Sequence, residues 1–162
     1  MNVMNKVIDL KTIAKKSNAL RRAGKRLVAT NGCFDLLHVG HVRYLQKARS
    51  SGDALVVGIN GDESVRNLKG AGRPINHERD RAEVLAALES VDWVVIFPET
   101  RATRFLEAAA PAVYAKGGDY SKESLNPEEC AALEKSGTKI EIIPFESGYS
   151  TTGLLERLQK NR

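Results

Sequence analysis

The sequence predicts an α/β fold in which a five-stranded parallel sheet is covered by helices on both faces. The chain has 162 residues, 42% of them hydrophobic and 28% charged, which is typical of one compact domain. Its candidate strands are short and rich in valine and isoleucine, as strands buried on both faces are. They alternate with helical patterns, which implies right-handed crossovers between parallel strands.

Five apolar runs bounded by turn residues are the candidate strands. They cover residues 26–30, 54–60, 92–97, 112–116 and 139–145. Segments with apolar residues at helical spacing flank them, and we predict helices over 8–23, 39–51, 62–68, 77–89, 101–110, 126–136 and 150–160. The longest irregular stretches, 69–76 and 117–125, each follow the end of an element. We expect ligand-binding loops there.

The amino-terminal segment is predicted to be a basic helix with a solvated charged face. The run KKSNALRRAGKR at 15–26 carries much of the formal net charge of +5. Ile13 and Leu20 belong to a partial apolar stripe, so the cations lie on the opposite face and nucleic acid is not an expected partner. We divide the chain into an amino-terminal helical extension, 1–25, and one domain, 26–162.

No segment of the sequence is typical of a membrane or secreted protein. The longest apolar runs, such as WVVIF at 93–97, are too short to span a bilayer, and the first residues lack the apolar region of a secretory signal. Cys33 and Cys130 lie far apart and form no C-x-x-C pair. We therefore expect a cytoplasmic protein with no membrane partner, no disulfide framework and no structural zinc.

Two of the three histidines lie at a predicted junction of strand and helix. In NGCFDLLHVGH, residues 31–41, the strand ends at Gly32 and a helix follows. His38 and His41 are three residues apart, so both imidazoles would lie on one face of the first helical turn. A helix amino terminus binds phosphate, and Gly32 and Gly40 allow an anion to approach the backbone. The pair would stabilise charge on a leaving phosphate.

The two common nucleotide-binding fingerprints do not occur in this sequence. No G-x-x-x-x-G-K-[ST] is present, and GAGRPI at 70–75 lacks the third glycine of the dinucleotide motif and follows no strand. On the residues alone, one alternative stays open, namely that the histidines are turn residues whose side chains hydrogen-bond to the backbone.

The stretch GCFDLLHVGH resembles the H-x-G-H signature of the nucleotidylyltransferase superfamily, in its cytidylyltransferase-like branch. Within that branch the closest resemblance is to the adenylyltransferases that make ADP-heptose for lipopolysaccharide, here without the sugar kinase to which they are often fused. The resemblance implies a Rossmann-like nucleotidylyltransferase domain over 26–162. Further segments match in the same order from residue 26 to 158, namely INGDES, LKGAGRPIN, ERDRAEVLAALESVDWV, AKGGDY and GYSTTGLLERL.

The resemblance implies that an oxygen of heptose 1-phosphate attacks the α-phosphorus of ATP in line and that pyrophosphate leaves. His38 and His41 would be catalytic by stabilising the pyrophosphate, because an ionised phosphate needs no general base. Mg²⁺ would accompany ATP, with no dedicated protein ligand expected. The nucleotide-binding residues that the resemblance implies are Gly32, Cys33, Phe34, Gly40, Lys116, Gly117, Asp119, Ser150, Thr151 and Thr152.

The middle loop is the predicted site of the sugar phosphate. Lys69 and Arg73 flank GAG, and Arg81 lies near the start of the next helix, where a guanidinium suits a phosphate. Asp35 and Asp62 end or follow strands on the same side, where they would accept hydrogen bonds from sugar hydroxyls or reach the metal through water. The resemblance implies the small molecules ATP and heptose 1-phosphate as partners. We also expect a homo-oligomer.

One departure from the related cytidylyltransferases bears on the choice of nucleotide. Glycerol-3-phosphate cytidylyltransferases carry R-T-E-G-I-S-T-T before the last helix, whereas this chain reads FESGYSTT with Phe145 at the place of the arginine. That difference favours ATP over CTP. The alternatives are a cytidylyltransferase for a small phospho-alcohol and a non-catalytic nucleic-acid-binding protein, although the chain has no aromatic platform for bases. His77, the third histidine, is expected to face solvent.

Overall fold

The computed structural model describes residues 2–118 and 120–160. Its strands are β1 (Leu27–Gly32), β2 (Ala54–Asn60), β3 (Trp93–Phe97), β4 (Val113–Gly117) and β5 (Lys139–Ile143). They form one sheet in the order β3-β2-β1-β4-β5, and every pair is parallel. The predicted parallel sheet is confirmed, and the predicted strands differ from the observed ones only at their ends.

Helices connect the strands and cover both faces of the sheet. They are α1 (Leu10–Arg22), α2 (Val39–Arg49), α3 (Asp62–Lys69), α4 (Glu78–Ala86), α5 (Thr103–Ala109), α6 (Pro127–Lys135) and α7 (Thr151–Lys160), with 3₁₀ helices at Val3–Lys6 and Lys122–Ser124. One hydrophobic core lies under α1, α5 and α6, and the other under α2 and α4. In the parts of the chain that the structure describes, no helix is both long and apolar enough to cross a membrane.

The strands β1 and β4 separate before their carboxyl ends. They pair only at Val28–Val113 and Ala29–Tyr114, whereas β1 stays paired with β2 as far as Gly32 and β4 with β5 as far as Gly117. The strand order also reverses here, since β2 and β3 lie on one side of β1 and β4 and β5 on the other. A crevice therefore opens between β1 and β4, at the place where open α/β sheets bind ligands.

The amino-terminal extension packs along the outer strand β3. The Ile8 N–H donates to the Val94 carbonyl at 2.9 Å, so the extension covers an edge that would otherwise offer unpaired backbone groups. The Lys6 ammonium donates to the Val91 carbonyl at 2.8 Å. Ile13 of α1 is 0% exposed and lies within the hydrophobic core. The predicted domain boundary at residue 26 stays a prediction. Ile13, which precedes that boundary, packs in the same hydrophobic core as residues of the domain.

We expect Ile13→Ala to lower the free energy of unfolding by about 2–5 kcal/mol, because truncating a buried aliphatic side chain loses its transfer free energy and leaves a cavity. Lys11→Ala is the matched control, since Lys11 is exposed on the same helix. Urea unfolding followed by circular dichroism measures both variants. Equal urea midpoints for the two would show that the extension does not belong to the cooperative fold.

Candidate active site

The turn between β1 and α2 carries both signature histidines to the crevice. His38 is the N-cap of α2, with φ −138°. Phe34 has φ 47°, a left-handed conformation that is strained for a residue with a β-carbon. Its ring is 9% exposed and packs so closely on Gly32 that an added β-carbon there would lie 3.0 Å from it. Burial of the ring thus offsets the backbone strain and shapes the turn.

The two imidazoles lie side by side. The ring centroids of His38 and His41 are 3.9 Å apart, with 32° between the ring planes. The His38 backbone N–H donates to Nδ1 of His41 at 3.3 Å. Neutral His41 therefore carries its proton on Nε2 and can donate from there. Nδ1 of His38 is buried without a hydrogen-bond partner in the described part of the chain.

Burial keeps His41 neutral in the free protein. Burial, and after it the charge of His38, lowers the pKa of His41 from 6.5 to about 4. Burial also lowers the pKa of His38, and the charge of Arg157 on α7 acts in the same direction. A bound polyanion acts in the opposite direction, because an adjacent negative charge favours the imidazolium. The pair can therefore gain positive charge when an anion binds.

The start of α7 lies against the same turn. The Thr151 hydroxyl donates to the Leu36 carbonyl at 3.4 Å. Ser150 Oγ accepts a hydrogen bond from the Gly153 N–H at 2.9 Å, which satisfies one N–H of the first turn. Ser150 and Thr152 are exposed. The amino termini of α2 and α7 thus adjoin each other, and together they can bind a polyphosphate.

Tyr44 of α2 contacts both β1 and β4 where these two strands separate. Its hydroxyl lies 2.7 Å from Thr30 Oγ1 on β1 and donates to the Ala115 carbonyl on β4 at 3.1 Å. Burial raises the pKa of Tyr44 to about 12, so the hydroxyl keeps its proton at neutral pH. These contacts replace ladder hydrogen bonds and hold the two strands at a defined separation.

The end of β4 and the ring of Phe145 form the opposite wall of the crevice. Phe145 lies across the two glycines that follow Lys116, because an added β-carbon at Gly117 would lie 2.8 Å from its ring and one at Gly118 would overlap it. The Phe145 side chain is nevertheless 69% exposed. Burial lowers the pKa of Lys116. Asp119, the predicted contact of a ribose hydroxyl, lies outside the described residues.

Asp35 holds the middle loop in place. Its carboxylate is 1% exposed and accepts hydrogen bonds from Arg73 Nε at 2.7 Å and from the N–H groups of Ile75 and Asn76 at 2.8 and 2.9 Å. Burial alone would raise the pKa of Asp35, but these hydrogen bonds outweigh it and lower the pKa. The geometry favours a role in anchoring the loop over the predicted contact with a sugar hydroxyl.

Arg81 is a buried cation at the rim of the crevice. Its side chain is 0% exposed and donates to the carbonyls of Cys33, Asn60 and Asn76 at 2.6, 2.9 and 3.0 Å. It also donates to the Asp62 carboxylate at 2.9 Å. These hydrogen bonds join the ends of β1 and β2 to the middle loop and to α3. The guanidinium is thus placed to hold those segments together rather than to contact a sugar phosphate.

Lys69 and Arg73 are the cations of the middle loop that lie nearer to solvent. Lys69 is exposed, and in the described ranges no carboxylate lies within ion-pair distance of it. Arg73 is 23% exposed beside Asp35. Both charges act on the Cys33 thiol, so both cations lie around the end of β1. Burial still raises the pKa of Cys33, which disfavours a thiolate nucleophile.

The carboxylates of the crevice already have cationic or N–H partners. Asp62 accepts a hydrogen bond from Arg81 and lies 3.2 Å from Nδ1 of His77, whose side chain is 86% exposed, as predicted. Across residues 2–118 and 120–160, no group of three or more His, Cys, Asp or Glu side chains could hold a metal ion. The carboxylates of Asp35 and Asp62 are therefore engaged by other groups of the protein in the free site.

Sequence reasoning missed several residues at this site. Arg157 lies on α7, seven residues or about two helical turns after Ser150, and that spacing could have indicated it. Arg43 of α2 forms an ion pair with Glu146, and no local pattern predicts that contact because the two residues are far apart in sequence. Tyr149, which directly precedes the predicted nucleotide-binding residues Ser150, Thr151 and Thr152, stacks on His38.

We expect the His41 imidazole of the free protein to be neutral at about pH 6, with its proton on Nε2, because its pKa is about 4. In the folded protein, the His41 imidazole then gains its second proton only as the pH falls through that value. Nitrogen-15 NMR distinguishes the ring tautomers, and a His41→Gln sample assigns the signals. A His41 ring that is half protonated near its ordinary pKa of 6.5 would contradict the burial described here.

Comparison with known proteins identifies relatives over most of the chain. The model of the family described as cytidylyltransferase-like matches residues 29–157. The bifunctional protein HldE of Geotalea uraniireducens is 51% identical over 154 residues, which cover 95% of this chain and 31% of that protein. HldE of Alkalilimnicola ehrlichii is 52% identical over 139 residues, or 86% of this chain and 29% of that protein. The chain thus spans about a third of the length of these curated relatives.

Two solved structures share the fold. A lipopolysaccharide core biosynthesis protein from Thermoplasma volcanium has a TM-score of 0.62 and 27% identity, covering 78% of this chain and 100% of that chain. Pantoate-β-alanine ligase from Francisella tularensis has a TM-score of 0.61 and 17% identity, and the match covers 91% of this chain and 69% of that chain. At this identity, the likeness shows the fold alone. The family model matches most of the chain, and the matched residues include both helix amino termini at the crevice. The chain therefore belongs to the cytidylyltransferase-like family of nucleotidyltransferases.

Proposed function

We propose that this chain transfers AMP from ATP to D-glycero-β-D-manno-heptose 1-phosphate, forming ADP-heptose and pyrophosphate for lipopolysaccharide core synthesis. The observation that carries the proposal is the meeting of two helix amino termini beside the His38–His41 pair, with a cationic loop next to them. The likeness to HldE proteins and to a lipopolysaccharide core biosynthesis protein supports the choice of sugar.

In the proposed reaction, a phosphate oxygen of the heptose 1-phosphate forms a bond to the α-phosphorus of ATP while the bond to pyrophosphate breaks. The attacking oxygen is already ionised, so no side chain has to accept a proton. His38, His41 and the N–H groups of α2 donate to the charge that accumulates on the leaving pyrophosphate. Thr152 and the amino terminus of α7 bind the outer phosphates, and Mg²⁺ supplies further charge neutralisation when bound.

The sugar phosphate binds on the side of the middle loop. The Asp35 carboxylate accepts a hydrogen bond from Arg73 Nε at 2.7 Å and so fixes the guanidinium. Lys69, the last residue of α3, is exposed. Arg81 also holds the middle loop, because its Nε donates to the Asn76 carbonyl. Buried groups therefore order the loop, while Lys69 and the exposed part of Arg73 neutralise the substrate phosphate.

We expect Lys69→Ala to raise the KM for heptose 1-phosphate about tenfold and to change the KM for ATP far less, because the middle loop is proposed to bind the sugar phosphate and the two helix amino termini to bind ATP. The factor is the size expected for one hydrogen bond to a charged group. Arg66→Ala is the matched control, since Arg66 is exposed on the same helix and pairs with Glu63. Equal effects on both KM values would place the middle loop at the other substrate.

We expect kcat/KM with heptose 1-phosphate to be at least about a hundredfold higher for ATP than for CTP, because polar groups that match one base are left unpaired by another. Phe145, which follows β5 and stands in place of an arginine, motivates the choice of ATP. The measurement is pyrophosphate release at fixed Mg²⁺ with each nucleotide. A higher value for CTP would overturn the adenylyltransferase proposal, and activity confined to CTP with glycerol 3-phosphate would establish the cytidylyltransferase.

A further inference from the structure

We propose that Tyr149 and Arg43 are positioning residues that hold the His38 imidazole in its catalytic orientation. The inference rests on the proposed function, because it concerns the histidine that stabilises the leaving pyrophosphate. Tyr149 and Arg43 act through His38 and not on the substrate.

Among the described residues, no hydrogen bond of normal geometry fixes the ring of His38. Its buried Nδ1 has no partner in the described part of the chain. The backbone of His38 is engaged, since its N–H donates to Nδ1 of His41 and its carbonyl accepts the His41 N–H at 2.9 Å. A hydrogen bond at one ring nitrogen is the usual device that fixes the orientation and tautomer of a functional histidine. The orientation of this ring therefore depends on packing.

Two neighbouring rings supply that packing. The His41 centroid lies 3.9 Å from that of His38, and the Tyr149 centroid lies 6.5 Å away with 21° between the ring planes. Gly40 allows the arrangement, since an added β-carbon would lie 2.9 Å from Nδ1 of His38 and 2.9 Å from Cβ of Tyr149. The glycine of the H-x-G-H signature thus lets a residue from the other end of the chain reach the first histidine.

Arg43 keeps Tyr149 at this position. Its guanidinium carbon lies 5.6 Å from the centroid of the Tyr149 ring, and the same guanidinium pairs with Glu146. Residues 144–150 are otherwise exposed. An exposed ion pair or cation–π contact is weak alone, but the two contacts share one side chain and reinforce each other. Arg43 therefore fixes the segment before α7 on the first turns of α2.

The first test uses the free protein and needs no substrate. Among the described residues, the charged or titratable groups that face His38 are His41 from α2, Arg157 from α7 and Tyr149 itself. Since burial lowers the pKa of His38, Tyr149→Ala should raise that pKa toward its ordinary value of 6.5, while the pKa of His41 stays low. Tyr149→Phe should leave both unchanged. Proton NMR titration of the histidine rings measures all three samples.

The second test is kinetic. Tyr149→Ala should lower kcat about ten- to a hundredfold with little change in the KM for either substrate, the size expected when a reacting group is misplaced by about 1 Å. Tyr149→Phe should restore kcat to within about threefold of wild type, because the ring and not the hydroxyl does the packing. Arg43→Ala should change kcat in the same direction as Tyr149→Ala but less. Leu158→Ala, an exposed truncation on α7, is the control.

The outcomes separate this inference from the proposed function. If wild type releases no pyrophosphate from ATP and heptose 1-phosphate, the proposed function fails, while the NMR titration still decides whether Tyr149 holds His38. An unchanged His38 pKa in Tyr149→Ala would overturn the positioning role whatever the kinetics. Equal losses of kcat in Tyr149→Ala and Tyr149→Phe would also overturn it, because the hydroxyl would then be the functional group.

Discussion

The early separation of β1 from β4 is the constraint on which the whole site depends. The two strands stop pairing after Ala29 and Tyr114, although each remains paired with its other neighbour to its end. Backbone groups left unpaired by such a separation would be costly if they were buried without partners. The Tyr44 hydroxyl supplies a partner by donating to Ala115, and it holds the strands apart as it does so. The crevice is therefore a stable feature of the sheet, and both helix amino termini adjoin it.

Charged residues around the crevice divide into those that order the backbone and those that face solvent. Arg81 and Asp35 are almost fully buried, and each is surrounded by hydrogen-bond partners that compensate its desolvation. They fix the loop after α3 against the ends of β1 and β2. Lys69 is exposed and Arg73 partly so. This division explains how a loop rich in glycine can present cations at defined positions.

The two signature histidines are held in different ways. His41 is oriented by the backbone N–H of His38, a local hydrogen bond inside one helical turn. His38 is oriented by rings that come from α2 and from the segment before α7. Burial lowers the pKa of both, so the free site limits repulsion between two adjacent imidazolium ions. The charge of Arg157 adds to the positive potential that a polyphosphate would meet.

The sequence by itself determined the parallel α/β fold, the order of its elements and the junction that carries His38 and His41, because periodicity and glycine spacing are local properties of the chain. The resemblance carried by its motifs also indicated Ser150, Thr151 and Thr152 at the start of α7, and the sequence indicated that His77 faces solvent. Only the tertiary structure decided that Arg81 and Asp35 hold the loop, and that Tyr149 lies on His38. Those contacts join residues distant along the chain. Whether a charge is buried among partners or left for a substrate depends on what packs around it, which local spacing does not encode.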